Sequence, residues 1–149
     1  KYKNNNKKIN KILSEEMKSK LDKPDTFNDF FKLINVQKKK LLKIINKIIK
    51  KKEIIHGYGA STKGNVLLQY FGISSNKIRY IADRNPQKVN LYTPGTKIKI
   101  VSELFSRMRK PNYYLVLPWH FKKEIILREK RAIKDGSRFI FPLPKMKVV

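Results

Sequence analysis

The stretch that decides the fold runs from Glu53-Ile-Ile-His-Gly-Tyr-Gly-Ala-Ser-Thr-Lys-Gly64 into Asn65-Val-Leu-Leu-Gln-Tyr-Phe-Gly72. It opens with a short apolar run that ends in glycine, which predicts a buried strand. A loop of small residues follows up to Gly64. Residues 65–71 then have helical spacing, and Gly72 is a good C-cap. The stretch therefore predicts a strand, a glycine-containing loop and a helix in succession.

Outward from this unit, apolar runs and helical patterns continue to alternate. Further extended segments are predicted at Lys77–Ala82, Thr96–Val101, Tyr113–Leu117, Arg138–Pro142 and Lys145–Val149, the last at an edge. Helical patterns cover Phe27–Lys52, Glu103–Lys110 and Lys122–Lys134. This alternation predicts an α/β fold with a mostly parallel sheet flanked by helices and preceded by a long N-terminal helix. Residues 1–26 are expected to form a lysine- and asparagine-rich tail or short helix, and residues 27–149 a single domain.

Composition excludes several kinds of site. The chain of 149 residues contains no cysteine, so disulfides and thiol nucleophiles are excluded. With only two histidines, a metal site is not expected. No apolar run approaches the roughly 20 residues that span a bilayer, and the start is not a signal peptide, so we expect a cytoplasmic protein without a membrane partner.

The charge is high but spread out. Lys and Arg number 36 against 11 acidic residues, a net charge of +25. Most cations are lysines accompanied by many Asn and Ile residues, a composition that A/T-rich codons also produce. Because the basic residues are scattered, we interpret them mainly as solvated surface and do not favour a nucleic-acid partner. A polyanion-binding module stays open as an alternative.

The loops that follow three predicted strands carry the candidate ligand-binding residues. In an open α/β sheet, ligands bind outside the carboxyl ends of the strands, near the switch point in strand order. The glycine loop from Gly57, the Asp83-Arg-Asn-Pro86 loop and the Pro118-Trp-His120 loop all fall at such ends. We therefore expect these three loops to converge.

The glycine loop suits an anion. Gly57 and Gly59 allow a tight turn and close approach of a ligand, and Ser61, Thr62 and Lys63 add two hydroxyls and one cation, which favours a phosphate or diphosphate. A purely structural turn is the alternative for the two glycines. The pattern is not a dinucleotide fingerprint, because Thr62 interrupts it and the third glycine comes late, which disfavours an NAD-linked enzyme. It is not a Walker loop either, since Lys63 precedes the final glycine.

Each remaining candidate residue has a structural alternative. Asp83, 24 residues after Gly59, is placed to accept hydrogen bonds from a ribose or to cap its own turn. Trp119 is suited to stack on a base or sugar, or to cover the end of the sheet. His120 is suited to donate to a hydroxyl or phosphate, or to be a structural histidine whose hydrogen bonds are satisfied within the fold. His56, inside the first strand, is expected to be a core histidine.

Four ordered stretches suggest a family. Their sequences are residues 57–72, Ile81-Ala-Asp-Arg-Asn-Pro-Gln-Lys88 with Tyr92-Thr-Pro-Gly-Thr96, Tyr114-Leu-Val-Leu-Pro-Trp-His-Phe121, and Gly136 with Arg138-Phe-Ile-Phe-Pro-Leu-Pro144. Together they resemble the C-terminal domain of S-adenosylmethionine-dependent C-methyltransferases that act on nucleotide-linked deoxysugars. The resemblance covers about residues 27–149.

The resemblance implies a Rossmann-like domain that helps to form the sugar-nucleotide site. Relatives of this kind carry a zinc-binding domain and a central domain that binds S-adenosylmethionine and supplies the base. That base removes a proton from a sugar carbon made acidic by a neighbouring keto group. Since the present chain contains neither domain, it is not expected to be active alone. Its partners would be a nucleotide-linked sugar and a donor-binding domain in the same or another chain.

Carried over by position, the resemblance implies a set of site residues. His120 is the candidate catalytic residue. The substrate-binding candidates are Gly57, Gly59, Ser61, Thr62, Lys63, Asn65, Asp83, Asn85 and Trp119. The chain departs from the family pattern at Asn90, where a glycine is expected, and at Lys99, where a proline is common. The alternative of a minimal methyltransferase that binds S-adenosylmethionine itself stays open, although the Ser-Thr-Lys loop fits an anion better than a sulfonium.

Overall fold

A computed structural model describes residues 6–149, and the first five residues of the predicted N-terminal tail lie outside the described residues. The chain divides into two compact units, residues 1–36 and 37–149. The first contains helix α1 (Asn6–Lys18) and the beginning of helix α2 (Pro24–Lys50). The predicted domain boundary at residue 27 falls within α2 and stays a prediction.

The second unit alternates strands and helices. After the rest of α2, the elements are β1 (Ile55–Tyr58), α3 (Thr62–Phe71), β2 (Tyr80–Asp83), β3 (Lys99–Ser102), α4 (Glu103–Met108), β4 (Tyr113–Val116), α5 (Lys122–Arg128), α6 (Lys130–Lys134), β5 (Arg138–Phe141) and β6 (Lys147–Val148). Single 3₁₀ turns at Pro86–Lys88 and Trp119–Phe121 follow β2 and β4.

The strands form one six-stranded sheet in the order β3-β2-β1-β4-β5-β6. Its first five strands are parallel, and β6 is an antiparallel edge strand. At the centre, Gly57 of β1 lies between Ile81 of β2 and Leu115 of β4. The predicted Rossmann-like, mostly parallel sheet with flanking helices is confirmed.

The alternation of side chains along β1 assigns the two faces of the sheet. His56 and Tyr58 point to the face that carries α4, where His56 Nδ1 shares a 2.8 Å hydrogen bond with Ser106 Oγ. Tyr58 belongs to a buried cluster that is also covered by residues of α5 and α6. Gly57 points to the opposite face, where a Cβ would lie 2.6 Å from Ile81 Cγ1, so the Ile81 side chain occupies the space that a side chain at position 57 would need.

Several element boundaries differ from the sequence prediction, and two of the differences have a clear physical reason. Helix α2 begins at Pro24 rather than Phe27, because proline is well suited to the first position of a helix. The predicted helix over residues 122–134 is two helices that meet at Glu129, whose φ of −95° and ψ of 17° leave the helical range. The Glu129 side chain turns into the core at that break and is 3% exposed.

Asn90, which stands where the family pattern has a glycine, has a conformational explanation. Asn90 has a φ of +70°, in the left-handed region that glycine adopts most easily. Asparagine is one of the few other residues that tolerate this region. The backbone there is therefore compatible with either residue, and the fold does not depend on the glycine.

Candidate functional site

A cavity of about 590 Å³ lies at the carboxyl edge of the sheet, where β1 and β4 end side by side. This is the switch point of the strand order, because β2 and β3 lie on one side of β1, whereas β4, β5 and β6 lie on its other side. We call it the carboxyl-edge cavity. It is lined by Tyr58, Gly59, Ala60, Ser61, Asp83, Arg84, Asn85, Lys88, Glu103, Pro118, Phe121, Glu124, Ile125 and Arg128.

The three predicted loops meet at this cavity. Residues 59–61 come from the glycine loop, residues 83–85 from the loop after β2, and Pro118 from the loop after β4. Gly59 has a φ of +77°, and a Cβ on it would lie 2.8 Å from Pro118 Cδ. Only glycine fits that conformation and that approach, so Gly59 is required by the contact between two of the loops.

The glycine loop ends in a capped helix. Ser61 is the N-cap of α3, and its Oγ accepts a 3.0 Å hydrogen bond from the Gly64 amide. Thr62 and Lys63 form the first exposed residues of the helix and do not line the cavity. Their amides belong to the first turn, which has no carbonyl partners within the helix. Asn65 follows Gly64 in the same helix, and its Oδ1 is buried with no hydrogen-bond partner among the described residues.

Asp83 ties two of the loops together. Its Oδ2 accepts a 2.7 Å hydrogen bond from the Ala60 amide, and its Oδ1 accepts one of 2.8 Å from the Asn85 amide. Lys88 Nζ lies 3.7 Å from Asp83 Oδ2 and donates to the Ala60 carbonyl at 2.9 Å. Asn85 Oδ1 in turn accepts from the Gln87 amide. These contacts give Asp83 the capping role that the sequence offered as the alternative to ligand binding, and they give Asn85 a capping role that was not predicted.

Trp119 and His120 lie beside the cavity rather than in its lining. Trp119 is half-buried and packs against the buried cluster that contains Tyr58 and Phe139, so it covers that end of the sheet. His120 is exposed, and its ring centroid is 4.2 Å from that of Phe121, a lining residue. Within residues 6–149, no side chain or carbonyl forms a hydrogen bond with the His120 ring.

One wall of the cavity was not predicted from the sequence. Tyr58 donates a 2.6 Å hydrogen bond to Glu129 Oε1, and Arg128 Nη2 donates a short hydrogen bond to the Tyr58 hydroxyl. Arg128 also donates to Glu103 at 3.1 Å, and Arg107 donates to Glu103 at 3.2 Å and to Glu129 at 2.9 Å. Two arginines, two glutamates and one tyrosine thus form a closed network, which we call the Arg-Glu-Tyr wall.

The pKa of the Tyr58 hydroxyl lies above its usual value. Burial raises the pKa of the Tyr58 hydroxyl, and its hydrogen bond to Glu129 raises it further. Tyr58 is therefore a hydrogen-bond donor and not a base at neutral pH. The sequence carried no signal for this network, because Tyr58 and Glu129 are 71 residues apart and belong to different elements.

A second cavity of about 880 Å³ lies on the other side of this wall. It is lined by residues that precede β4 and β5, among them Pro111 and Ser137, and by Arg107 and Arg128. Arg128 thus lines both cavities, and the wall separates them. Among the described residues, the predicted loops line the carboxyl-edge cavity and not this second one.

Between residues 6 and 149, no three histidine, aspartate or glutamate side chains are grouped so that they could hold a metal ion. In the same range, no helix combines the length and the apolar character needed to cross a membrane.

Comparison with known proteins gives two matches. Residues 1–144 match the family model of the C-methyltransferase C-terminal domain. The C-methyltransferase NovU of Streptomyces niveus is 30% identical over 141 residues, which cover 95% of this chain and 34% of NovU. The chain therefore spans about a third of the length of that curated relative.

Proposed function

The chain belongs to the family of C-methyltransferase C-terminal domains, and from this membership we propose that it holds a nucleotide-linked sugar for methylation. The substrate class is a diphosphate-linked keto-deoxysugar. Another domain, in the same polypeptide or a second one, binds S-adenosylmethionine. This chain contributes by positioning, because holding the two reactants at reactive geometry removes much of the entropic barrier to methyl transfer.

The observation that carries the proposal is the convergence of three polar loops on the carboxyl-edge cavity. Its volume of about 590 Å³ lies within the range of small-molecule sites, roughly 300–1,000 Å³. Its position at the switch point is where open α/β sheets bind their ligands. The exposed first turn of α3 adds backbone donors that suit an anionic group.

The charges around the cavity favour a phosphate near Arg84. Of the lining cations, Lys88 lies beside Asp83, and Arg128 is paired with Glu103. Arg84 is exposed and has no ion pair among the described residues. Its guanidinium can therefore donate to a diphosphate without first losing a carboxylate partner. The sequence predicts Lys63 as the cation, and Lys63 is a second contact for the phosphate at the start of α3 in this proposal.

The Arg-Glu-Tyr wall supplies groups that suit a sugar. Glu103 can accept hydrogen bonds from hydroxyls, and Arg128 can donate to a hydroxyl or keto oxygen. The wall orients the sugar rather than removing its proton in this proposal, because Tyr58 stays protonated and Glu103 is held by two arginines. We propose that the base comes from the donor-binding domain, and that His120 assists proton transfer for a substrate that extends past Phe121.

The proposal is tested by calorimetric titration of the chain with a thymidine-diphosphate sugar and with S-adenosylmethionine. We expect saturable binding of the sugar nucleotide only. Arg84→Ala should weaken it by about 10- to 100-fold, the effect of losing hydrogen bonds from a charged donor. The matched control is Arg79→Ala, because Arg79 immediately precedes β2 whereas Arg84 immediately follows it. Lys63→Ala is expected to have a smaller effect.

Two results would contradict the proposal. Saturable binding of S-adenosylmethionine would make the chain a minimal methyltransferase core. Binding of duplex DNA that falls steeply with salt, without any response to the sugar nucleotide, would make it a polyanion-binding module.

A further inference from the structure

The N-terminal unit exposes its large apolar side chains. None of residues 6–36 is buried, and α1 has no buried residue at all. Residues of this kind in a folded domain normally face a core or a partner. The exposed apolar residues are Ile9, Ile12, Leu13, Met17, Leu21, Phe27, Phe30, Phe31, Leu33 and Val36.

Most of these residues recur with helical spacing. In α1, Ile9, Leu13 and Met17 are each four residues apart and so lie on one side of the helix. In α2, Phe27, Phe30 and Phe31 repeat the pattern at three and four residues. Lysines occupy much of the remaining surface of α1. We call the side that carries the apolar residues the N-terminal apolar face.

We propose that the N-terminal apolar face is the docking surface for the methyl-donor-binding domain. This inference rests on the proposed function, which requires such a domain. The family match begins at residue 1, so these helices belong to the family domain and are not an unrelated extension. The matched region is 34% of NovU, so most of that relative lies outside the match. A domain in that remaining part could cover such a face.

The distribution of charge favours this partner over a second copy. The chain carries a net charge of +25, so bringing two copies together costs electrostatic repulsion. The position of the acidic residues also disfavours an anionic membrane surface as the partner. Five of the 11 acidic residues fall between Glu15 and Asp29, next to the face itself. The partner that remains for the N-terminal apolar face is a protein surface that is apolar and has a mixed polar rim.

Hydrogen–deuterium exchange tests this docking in a fusion protein where the present chain replaces the matched third of NovU. The reference is the present chain alone. Covalent linkage gives a high effective concentration, so docking is detected even if the two sequences are imperfectly matched. We expect the amides of residues 9–36 to exchange at least about tenfold more slowly in the fusion than in the chain alone.

Substitutions identify the face responsible. Met17→Lys and Phe31→Lys should each remove most of the added protection. The matched control is Met108→Lys, because Met17 and Met108 are both 74% exposed and Met108 lies in α4 of the other unit. Equal exchange in the fusion and in the chain alone would overturn the proposal, as would protection that depends on the concentration of the chain alone.

The same fusion protein distinguishes docking of the donor-binding domain from binding of the sugar nucleotide. Titration with the thymidine-diphosphate sugar reports on the carboxyl-edge cavity, whereas exchange of residues 9–36 reports on docking. Sugar-nucleotide binding without added protection would overturn the docking surface only. Protection without sugar-nucleotide binding would overturn the sugar-binding role and leave the docking surface in place.

Discussion

At the scale of single residues, the buried imidazole of His56 makes stability depend on pH. His56 is 2% exposed, and burial, together with nearby Arg109, lowers its pKa from 6.5 to about 4. The unfolded chain therefore takes up a proton at His56 before the folded chain does. The contribution of His56 should lower the free energy of unfolding by up to about 1.4 kcal/mol for each pH unit below about 6.5, until the pH reaches about 4.

Urea denaturation between pH 4 and pH 7 measures this effect through a comparison of variants. His56→Asn keeps a polar group near Ser106 but cannot titrate, so its free energy of unfolding should depend less on pH than that of the natural chain. His120→Asn is the control, because it removes the chain's other histidine from the surface. Identical pH slopes for the natural chain and His56→Asn would contradict the prediction.

Residues whose role follows from their neighbours in the chain could be predicted. Gly59 and Asp83 were placed correctly at the ends of β1 and β2, because loop position follows from the alternation of strands and helices. Arg84 and Arg128 were missed for different reasons. Arg84 is one of many surface cations, and its place in the lining of the cavity follows only from the fold, whereas Arg128 acquires its role through Tyr58, 70 residues away.

At the scale of elements, Gly64 fixes how closely α3 approaches the end of β4. A Cβ at residue 64 would lie 2.3 Å from Leu117 Cβ and 2.9 Å from Ser61 Oγ. Gly64→Ala should destabilise the chain by about 3 kcal/mol through overpacking, which exceeds the about 1 kcal/mol that alanine gains in a helix. Chemical denaturation of the purified variant measures the change.

The other end of the same helix provides the control. Gly72 is the C-cap of α3 with a φ of +67°, and a Cβ there would meet nothing within 4 Å. Gly72→Asn should therefore cost less than about 1 kcal/mol, because asparagine tolerates the left-handed conformation. Equal losses of unfolding free energy in Gly64→Ala and Gly72→Asn would show that Gly64 provides backbone freedom and not the close contact with Leu117.

Element order was more predictable than element ends. Gly72 ends α3 as predicted, since a C-cap glycine acts locally. The break between α5 and α6 at Glu129 was not predicted, because the side chain leaves the helix to meet Tyr58 and Arg107 in the Arg-Glu-Tyr wall. Local signals therefore set where most elements lie, and contacts across the sheet set the interruptions.

At the scale of the whole molecule, the net charge of +25 should oppose folding through self-repulsion. Salt screens this repulsion, because the Debye length falls from about 30 Å at 0.01 M to about 8 Å at 0.15 M. Part of the repulsion is visible along α2, where exposed Lys39, Lys43 and Lys47 are each four residues apart. Like charges at this spacing destabilise a helix by about 0.2–0.5 kcal/mol per pair.

Raising NaCl from about 0.01 M to about 0.15 M should therefore increase the free energy of unfolding. Lys43→Glu replaces two repulsive pairs with two attractive ones and should add about 1 kcal/mol at the lower salt concentration, with a smaller gain at the higher one. Lys43→Gln, which only removes the repulsion, should give about half that gain. Thermal unfolding of the three proteins at both salt concentrations measures these differences. If stability did not respond to salt, the lysines would already be compensated within the fold, and their charge would not act on folding at all.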